Sequence, residues 1–202
     1  SRFGMATSCD PQLLMSPQEL AKSIYNETGV NRYSPLTMAN WLENFSKNAN
    51  KYSKGIKKIL EEKNPSLKRL LVDIAIQASI GQFFAEKFRS ACLWEYFLLS
   101  GSKTIGIKAL EKYIKARDQW QIAADISKEI YLPDLTYGPQ SWLRGRWDDR
   151  LPAIEKDIKD MENILNSKKI IKKISNIKVN KNLKIMENWK SYQRIRIEHE
   201  PP

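Results

Sequence analysis

The chain has 202 residues, with 34 Lys and Arg against 23 Asp and Glu, a net charge of +11 at pH 7. Hydrophobic residues make up 42% and aromatic residues 10%, which excludes an intrinsically disordered chain. One His and two Cys are too few for a four-ligand zinc site without carboxylates or for a disulfide scaffold, and no run of 18 apolar residues predicts a membrane span.

The first 29 residues are predicted to form an entry segment followed by a helix. The sequence starts without an initiator Met or a signal-peptide pattern, and the strand pattern near its other end needs a partner strand. We therefore expect the sequence to be the middle part of a larger protein, with residues 1–15 as an entry segment from an upstream domain. Ser16 and Pro17 suit a helix cap and a first helical position, and Glu19 completes a capping box. The first helix is predicted to end near Thr28 and Gly29.

The second predicted helix repeats this start signal. Ser34 and Pro35 open it, and it is expected to reach about Glu62. Its apolar residues recur with a period near 3.6, which is typical of an amphipathic helix. They are Leu36, Met38, Trp41, Leu42, Phe45, Ala49, Tyr52 and Ile56.

The third predicted helix starts at Asn64 and Pro65 and runs to about Ser100. Parts of this helix have apolar residues on nearly all of its faces, so we expect it to be the most buried helix. Gly81 within it is predicted to mark a close helix contact or a slight bend. Cys92 lies among apolar residues and is predicted to be a small core residue.

Two further helices complete the predicted body. One spans about Lys103 to Glu129, and the last covers about Arg150 to Ser167. Long helices joined by short turns favour an antiparallel bundle. The predicted fold is therefore all-α. It is an antiparallel bundle of about five helices over residues 16–167, with a long aromatic and arginine-rich loop, followed by a basic linker and a terminal β-strand.

The loop at residues 131–149 departs from the helical pattern. It holds two Pro, two Gly, two Tyr, two Trp and two Arg, and a loop of this length in a compact domain is usually functional or specifically packed. Aromatic rings stack on the apolar face of a sugar, and the guanidinium fork of Arg suits a carboxylate. We therefore predict a substrate-binding set made of Asp134, Tyr137, Trp142, Arg144, Arg146 and Trp147.

A packing role is the alternative for this loop. Its large aromatic residues would then fill the end of the helical body, because exposed Trp and Tyr are costly. Asp148 or Asp149 would cap the last helix. The arginines would pair locally with Asp134 or with the two adjacent aspartates.

Residues 111–161 carry a recognisable pattern. It contains Tyr113-x-x-Ala116-Arg117-x-x-Trp120, then Tyr131-x-Pro133-Asp134-Leu135-x-Tyr137-Gly138-Pro139, then Leu143-Arg144-Gly145-Arg146-Trp147-x-Asp149-Arg150-Leu151-Pro152. This pattern resembles the helical region that follows the catalytic barrel in large bacterial alpha-glucuronidase-like and related polysaccharide-degrading glycoside hydrolases. The likeness extends less specifically over residues 1–167.

The resemblance implies a non-catalytic accessory domain of a glycoside hydrolase-like enzyme. Its partners would be the upstream catalytic domain of the same protein and a polysaccharide, and its location would be secreted or periplasmic. The domain would brace the catalytic domain and contact glycan through the loop at 131–149. The family pattern has His where this chain has Arg146, so any role that needs a neutral imidazole is lost here.

The positive charge is concentrated after the helices. Residues 168–202 hold eight Lys, two Arg and three Glu, a net charge of +7, whereas the other 167 residues carry +4. We predict a basic linker at 168–190 and, from the alternating pattern near the end, the start of a β-domain or a docked strand at 191–202. The alternative function is an interaction module that binds nucleic acid or a protein through the Lys-rich segment 168–184. Nucleic acid is the weaker interpretation, because no base-reading module adjoins the lysines.

No complete catalytic set is visible in the sequence. Glycoside hydrolysis needs two carboxylates held about 5–9.5 Å apart, whereas Asp148 and Asp149 are adjacent and point in different directions. Asp134 would need a partner on another domain. The sequence also contains no phosphate-binding loop, metal motif or nucleophile elbow. We therefore expect no catalytic residue, metal or cofactor in this chain.

Overall fold

The computed structural model describes residues 12–29, 31–60, 65–128, 130–136 and 144–167. The first eleven residues, the predicted basic linker and the predicted terminal strand lie outside these ranges. Within them the chain is mostly helical, so the all-α prediction is confirmed. None of the described helices combines the length and the apolar character that crossing a membrane requires.

Five α-helices follow one another in the described part of the chain. They are α1 (Pro17–Tyr25), α2 (Pro35–Leu60), α3 (Pro65–Ser100), α4 (Lys103–Lys128) and α5 (Leu151–Asn166). Between α4 and α5 lie two short paired strands, β1 (Leu135–Thr136) and β2 (Arg144–Gly145), and a 3-10 turn at Asp148–Arg150. The predicted number and order of the helices are confirmed.

The first helix begins where the sequence predicts and ends earlier. The Ser16 hydroxyl accepts a hydrogen bond from the Glu19 backbone N–H at 3.2 Å, and the Glu19 carboxylate accepts one from the Ser16 N–H at 2.8 Å. This capping box satisfies two backbone donors that the helix leaves unpaired. The predicted end near Gly29 is wrong, because α1 stops at Tyr25 and Glu27 adopts a φ of 56°.

The described residues divide into two compact units. The first contains residues 12–38, 88–110 and 162–167, and the second contains residues 39–87 and 111–161. Helices α2 to α5 each contribute residues to both units, so the boundary between the units falls inside helices rather than in loops.

The first unit is held together by a closely packed apolar interior. Its fully buried side chains include Leu20, Cys92, Tyr96, Phe97 and Ile105. Burial of Cys92 confirms the sequence prediction, and it raises the pKa of this thiol. The Ser90 hydroxyl donates to the Ala109 carbonyl at 2.6 Å and thereby links α3 to α4.

Gly106 lets two elements of the first unit approach closely. A Cβ at this position would lie 2.5 Å from Cδ2 of Leu165 and 3.1 Å from the ring of Phe97. A side chain here would have to displace the Leu165 methyl group and would crowd the Phe97 ring, so glycine lets α4 pack closely against both residues.

In the second unit, Gly81 brings α2 and α3 together. A Cβ at this position would lie 2.3 Å from the Ser46 hydroxyl and 3.5 Å from the Leu42 carbonyl oxygen. The Ser46 hydroxyl itself donates to that carbonyl at 2.7 Å. The predicted close helix contact at Gly81 is thus confirmed.

Burial varies along the helices of the second unit. From Ile76 onward α3 is largely buried, but its first turns are exposed, with Leu70 53% exposed. The prediction that α3 is the most buried helix therefore holds for its later part alone. On α2, Ala39 is fully buried, whereas Phe45 and Tyr52 are each 65% exposed.

Candidate functional site

The candidate site is the segment that joins α4 to α5 in the second unit. Strands β1 and β2 pair in antiparallel register, Leu135 with Gly145 and Thr136 with Arg144. This two-rung ladder closes the loop into a hairpin. Candidate residues Tyr137 and Trp142 lie outside the described residues, and the other four candidates lie on or beside the ladder.

The base of the hairpin is fixed by aromatic packing. The indole N–H of Trp120 donates to the Trp147 carbonyl oxygen at 2.6 Å, and the ring of Trp147 lies 5.5 Å from that of Tyr131. Aromatic pairs at this distance stabilise by about 1 kcal/mol beyond the area they bury. The hydrogen bond from Trp120 therefore anchors the base to α4, and the ring pair joins the two sides of the base to each other.

A second set of contacts ties the base to α3. The Tyr131 hydroxyl donates to the Asp73 carboxylate, and the Arg69 guanidinium lies over the Tyr131 ring at 5.3 Å. The hydrogen bond to Asp73 raises the pKa of the Tyr131 phenol, and burial adds to the increase. Tyr131 therefore works as an anchor, as the packing alternative expects.

The strand ends of the hairpin present charged side chains to solvent. Asp134 accepts a hydrogen bond from the Gly145 N–H at 3.2 Å, and its second oxygen lies 3.6 Å from Nη2 of Arg144. The two side chains are 63% and 55% exposed. The structure thus brings together two of the predicted binding residues and leaves both accessible.

The turn after β2 depends on a glycine. Gly145 has a φ of +100°, and a Cβ there would lie 2.4 Å from a carboxylate oxygen of Asp149. That oxygen accepts a hydrogen bond from the Arg146 N–H at 2.6 Å. Asp149 therefore closes the turn that precedes the 3-10 segment.

No described contact shows Asp148 or Asp149 capping the last helix, so that expectation stays a prediction. The residue at the cap position of the 3-10 turn is Trp147, and no side chain makes a capping hydrogen bond there in the described chain. Asp149 accepts a hydrogen bond from the Arg146 N–H. Adjacent aspartates look like caps in sequence, but the backbone direction decides which N–H each one meets.

Arg146 and Asp148 form a largely covered ion pair. Nε of Arg146 lies 3.2 Å from Oδ1 of Asp148, and the two side chains are 20% and 32% exposed. The geometry is not that of a hydrogen bond, and Nη2 of Arg146 is buried with no hydrogen-bond partner among the described residues. These contacts favour local pairing for Arg146, and the Trp147 contact with Tyr131 favours packing for that ring.

A separate polar cluster lies among α3, α4 and α5 in the second unit. The hydroxyl of the fully buried Tyr113 donates to the Asp157 carboxylate at 2.8 Å, and Nζ of Lys87 lies 5.9 Å from the Tyr113 ring. Burial lowers the pKa of Lys87, whereas the nearby charge of Asp157 raises it. The hydrogen bond between Tyr113 and Asp157 joins α4 to α5, and the position of Lys87 over the Tyr113 ring adds a contact from α3.

The described residues offer no group of three His, Cys, Asp or Glu side chains placed to hold a metal ion. Of the three loop carboxylates, Asp134 and Asp149 each accept a backbone hydrogen bond, and Asp148 lies beside Arg146. The exposed side chains of Asp134 and Arg144 are able to form hydrogen bonds and ion pairs with a ligand.

Several residues of the site were not foreseen as site residues. Trp120 belongs to the pattern at residues 111–161, but its hydrogen bond to a carbonyl 27 residues later has no local signal. Asp73 and Arg69 are polar residues in the apolar third helix. An isolated carboxylate in such a stretch is the one sequence signal that points to an anchoring partner.

Comparison of the chain with protein-family models, with curated proteins and with solved structures finds no match in any of the three. The resemblance to the glycoside hydrolase region therefore stays a prediction.

Proposed function

We propose that the chain is a non-catalytic helical accessory domain of a carbohydrate-active, glycoside hydrolase-like enzyme. It braces a neighbouring catalytic domain of the same protein, in a secreted or periplasmic setting, and contacts an acidic polysaccharide through the hairpin at 131–149. The sequence resemblance supports the enzyme class. The structure contributes the helical body and the exposed charges on the hairpin.

An antiparallel arrangement of the bundle belongs to this proposal. In the second unit Lys112 of α4 pairs with Glu86 of α3 at 3.0 Å, and Trp120 lies 4.8 Å from the Phe83 ring. As the residue number rises along α4, that of its partner on α3 falls. This order supports neighbouring antiparallel helices, which expose a rigid side surface for another domain to contact.

The observation that carries the glycan contact is the pairing of Arg144 with Asp134. Both side chains are more than half exposed on a hairpin whose base is packed against α3 and α4. A guanidinium in this position is available to bind a uronate carboxylate, and the aspartate to accept from sugar hydroxyls. Rigid support beneath exposed polar groups reduces the entropy lost on binding.

The remaining candidates take different parts in this proposal. Arg146 and Trp147 hold the base of the hairpin through Asp148 and Tyr131. Tyr137 and Trp142, which lie outside the described residues, stay candidate stacking residues.

The proposal is tested by measuring the affinity of the chain for polygalacturonate at 0.15 M salt by isothermal titration calorimetry. Arg144→Ala is expected to weaken binding by about tenfold, since a hydrogen bond to a charged group contributes about 1.5–3 kcal/mol. Lys156→Ala is the matched control, because it removes one positive charge from an exposed site on α5. Equal losses in the two variants would show that binding follows net charge and would contradict the proposal.

Two further assays check the class of the protein. Incubation of the chain with polygalacturonate or glucuronoxylan should release no reducing sugar; release that persists after repeated purification would make the chain an enzyme. A short single-stranded oligonucleotide should not bind at low salt. Salt-sensitive binding would instead favour the nucleic-acid function of the Lys-rich segment 168–184.

A further inference from the structure

The exposed side of α2 carries two large aromatic rings. Phe45 and Tyr52 are each 65% exposed, and Ile56 is 38% exposed. Their spacing of seven and four residues places all three on one side of the helix. A folded protein exposes single apolar residues routinely, but a row along one helix face indicates a contact surface.

The two rings are separated rather than joined. Seven residues correspond to about 10 Å along the helix axis. Between them lies the small residue Ala49, and the exposed Asn48 neighbours both rings at positions i+3 and i−4. The surface is therefore two ring-sized apolar patches with an amide beside them.

The charge of this part of α2 has one sign. Residues 44–60 contain five Lys and neither Asp nor Glu. One of the five, Lys47, pairs at 2.7 Å with Glu43, the residue that precedes this stretch. Nζ of Lys51 lies 5.9 Å from the centre of the Tyr52 ring, so a positive charge stands beside one of the two patches. The complementary ligand is negatively charged and presents apolar faces at intervals along its length.

We propose that this α2 surface, made of Phe45, Asn48, Lys51 and Tyr52, is a second binding site for an acidic polysaccharide. A uronate-containing chain has apolar C–H faces on successive sugar rings, which suit the two aromatic side chains, and carboxylates, which suit Lys51. This proposal rests on the proposed glycan-binding function and adds a site remote in sequence from the hairpin at 131–149.

Two other occupants fit the surface less well, and a third is distinguished by measurement. A second copy of the chain, docked through the same face, would bring two lysine-bearing helices together. An anionic membrane would also attract the lysines of this surface, and the vesicle measurement below distinguishes it from a polysaccharide. The basic segment 168–202 carries a net charge of +7, so α2 would repel it.

The test compares ring removal with charge removal in the full chain. Affinity for polygalacturonate and for its fully methyl-esterified, uncharged form is measured at 0.15 M salt. The double variant Phe45→Ser/Tyr52→Ser should lower the affinity for polygalacturonate at least tenfold without changing the net charge. Tyr52→Phe, which keeps the ring, should bind polygalacturonate with an affinity within threefold of the parent's. Lys51→Gln should reduce the ratio of the affinity for polygalacturonate to the affinity for its methyl-esterified form. Thermal melts confirm that each variant is folded.

Ile122→Ser is the matched control, because Ile122 is 43% exposed on α4 and lies outside the proposed surface. It should change the affinity less than twofold. An equal loss in Ile122→Ser and the double variant would overturn the proposal. So would binding of the parent chain to anionic phospholipid vesicles but not to polygalacturonate, or dimer formation that the double variant abolishes.

The results also separate this inference from the proposed function. If Arg144→Ala weakens binding and the α2 variants do not, the α2 site is wrong and the hairpin function stands. If the α2 variants weaken binding and Arg144→Ala does not, the α2 site stands and the role of the hairpin is wrong. Absence of any binding by the parent chain overturns both.

Discussion

Helices α2 and α3 both have apolar residues at helical spacing, but these residues are buried to different extents. In α3 the stretch from Ile76 to Phe97 contains many buried residues. In α2 the aromatic residues Phe45 and Tyr52 remain 65% exposed. Apolar periodicity therefore predicts that a helix forms, whereas burial depends on which elements pack against it.

The comparison separates residues that stabilise the fold from residues available for binding. Substitutions at tightly packed positions should lower the free energy of unfolding, and substitutions on the exposed face of α2 should leave it nearly unchanged. The base of the 131–149 hairpin is an intermediate case, since its residues are packed but lie near the surface.

The largest effect is expected at Gly106. Gly106→Ala would place a Cβ 2.5 Å from Leu165 and 3.1 Å from Phe97, so the free energy of unfolding should fall by about 1–3 kcal/mol. Gly55→Ala is the control, because a Cβ there meets nothing within 4 Å, and it should stabilise α2 by about 0.5–1 kcal/mol. Urea unfolding measures both. Stabilisation by both substitutions would show that the contact at Gly106 is absent.

A smaller loss is expected in the hairpin. Gly145→Ala forces a side chain into a φ of +100° and against Asp149, and a strained backbone of this kind costs about 1–3 kcal/mol. Because the hairpin is local, part of that cost should appear as faster amide exchange around Arg146 rather than as global unfolding. Unchanged exchange in the variant would contradict the described turn.

A pH-dependent effect is expected at the start of α1. Hydrogen bonds from Arg32 and Ser16 lower the pKa of Glu19 from 4.5 to about 2. A lowered pKa in the folded state stabilises the protein above pH 4.5, and this stabilisation is lost as the pH falls towards 2. The melting temperatures of the parent and of Glu19→Gln should therefore differ at pH 7 and converge near pH 2. The difference at pH 7 will be modest, since the Glu19 side chain is 45% exposed. A constant difference across this range would contradict the assignment.

The smallest effect is expected on the exposed face of α2. Phe45→Ser/Tyr52→Ser should change the free energy of unfolding by no more than about 0.5 kcal/mol per residue, because these rings contribute little buried area. Urea unfolding of this double variant and of Gly106→Ala, measured under the same conditions, compares the two losses of unfolding free energy. A loss comparable to that of Gly106→Ala would mean that the rings are packed against the fold and are unavailable to a ligand.

Local chemistry made the helices predictable. Ser16 with Pro17 and Ser34 with Pro35 are start signals that depend on a few neighbouring residues, and the structure begins α1 and α2 at those prolines. The close approach at Gly81 was also foreseeable, since glycine in an apolar helix commonly marks a contact. The end of α1 was not, because the left-handed Glu27 is unusual for a residue other than glycine, asparagine or aspartate.

The candidate site was less predictable, because its contacts join distant residues. Whether Trp147 is exposed or packed depends on Tyr131 and Trp120, which reach it from 16 and 27 residues away. Adjacent aspartates suggested a helix cap, whereas the described contact of Asp149 is with the Arg146 N–H. The exposed pairing of Asp134 with Arg144 follows from the strand register, which the sequence of the loop does not specify.

The central claim is that this chain binds an acidic polysaccharide through exposed residues and performs no reaction. The most direct test of the binding is a titration of the ¹⁵N-labelled protein with polygalacturonate, in which the amide chemical shifts are measured. We predict shifts at residues 134–136 and 144–146 of the hairpin and at residues 44–56 of α2, with the buried residues around Cys92 and Phe97 unchanged. Saturating polysaccharide that left the amide shifts of both surfaces unchanged, or that shifted the buried residues alone, would contradict this claim.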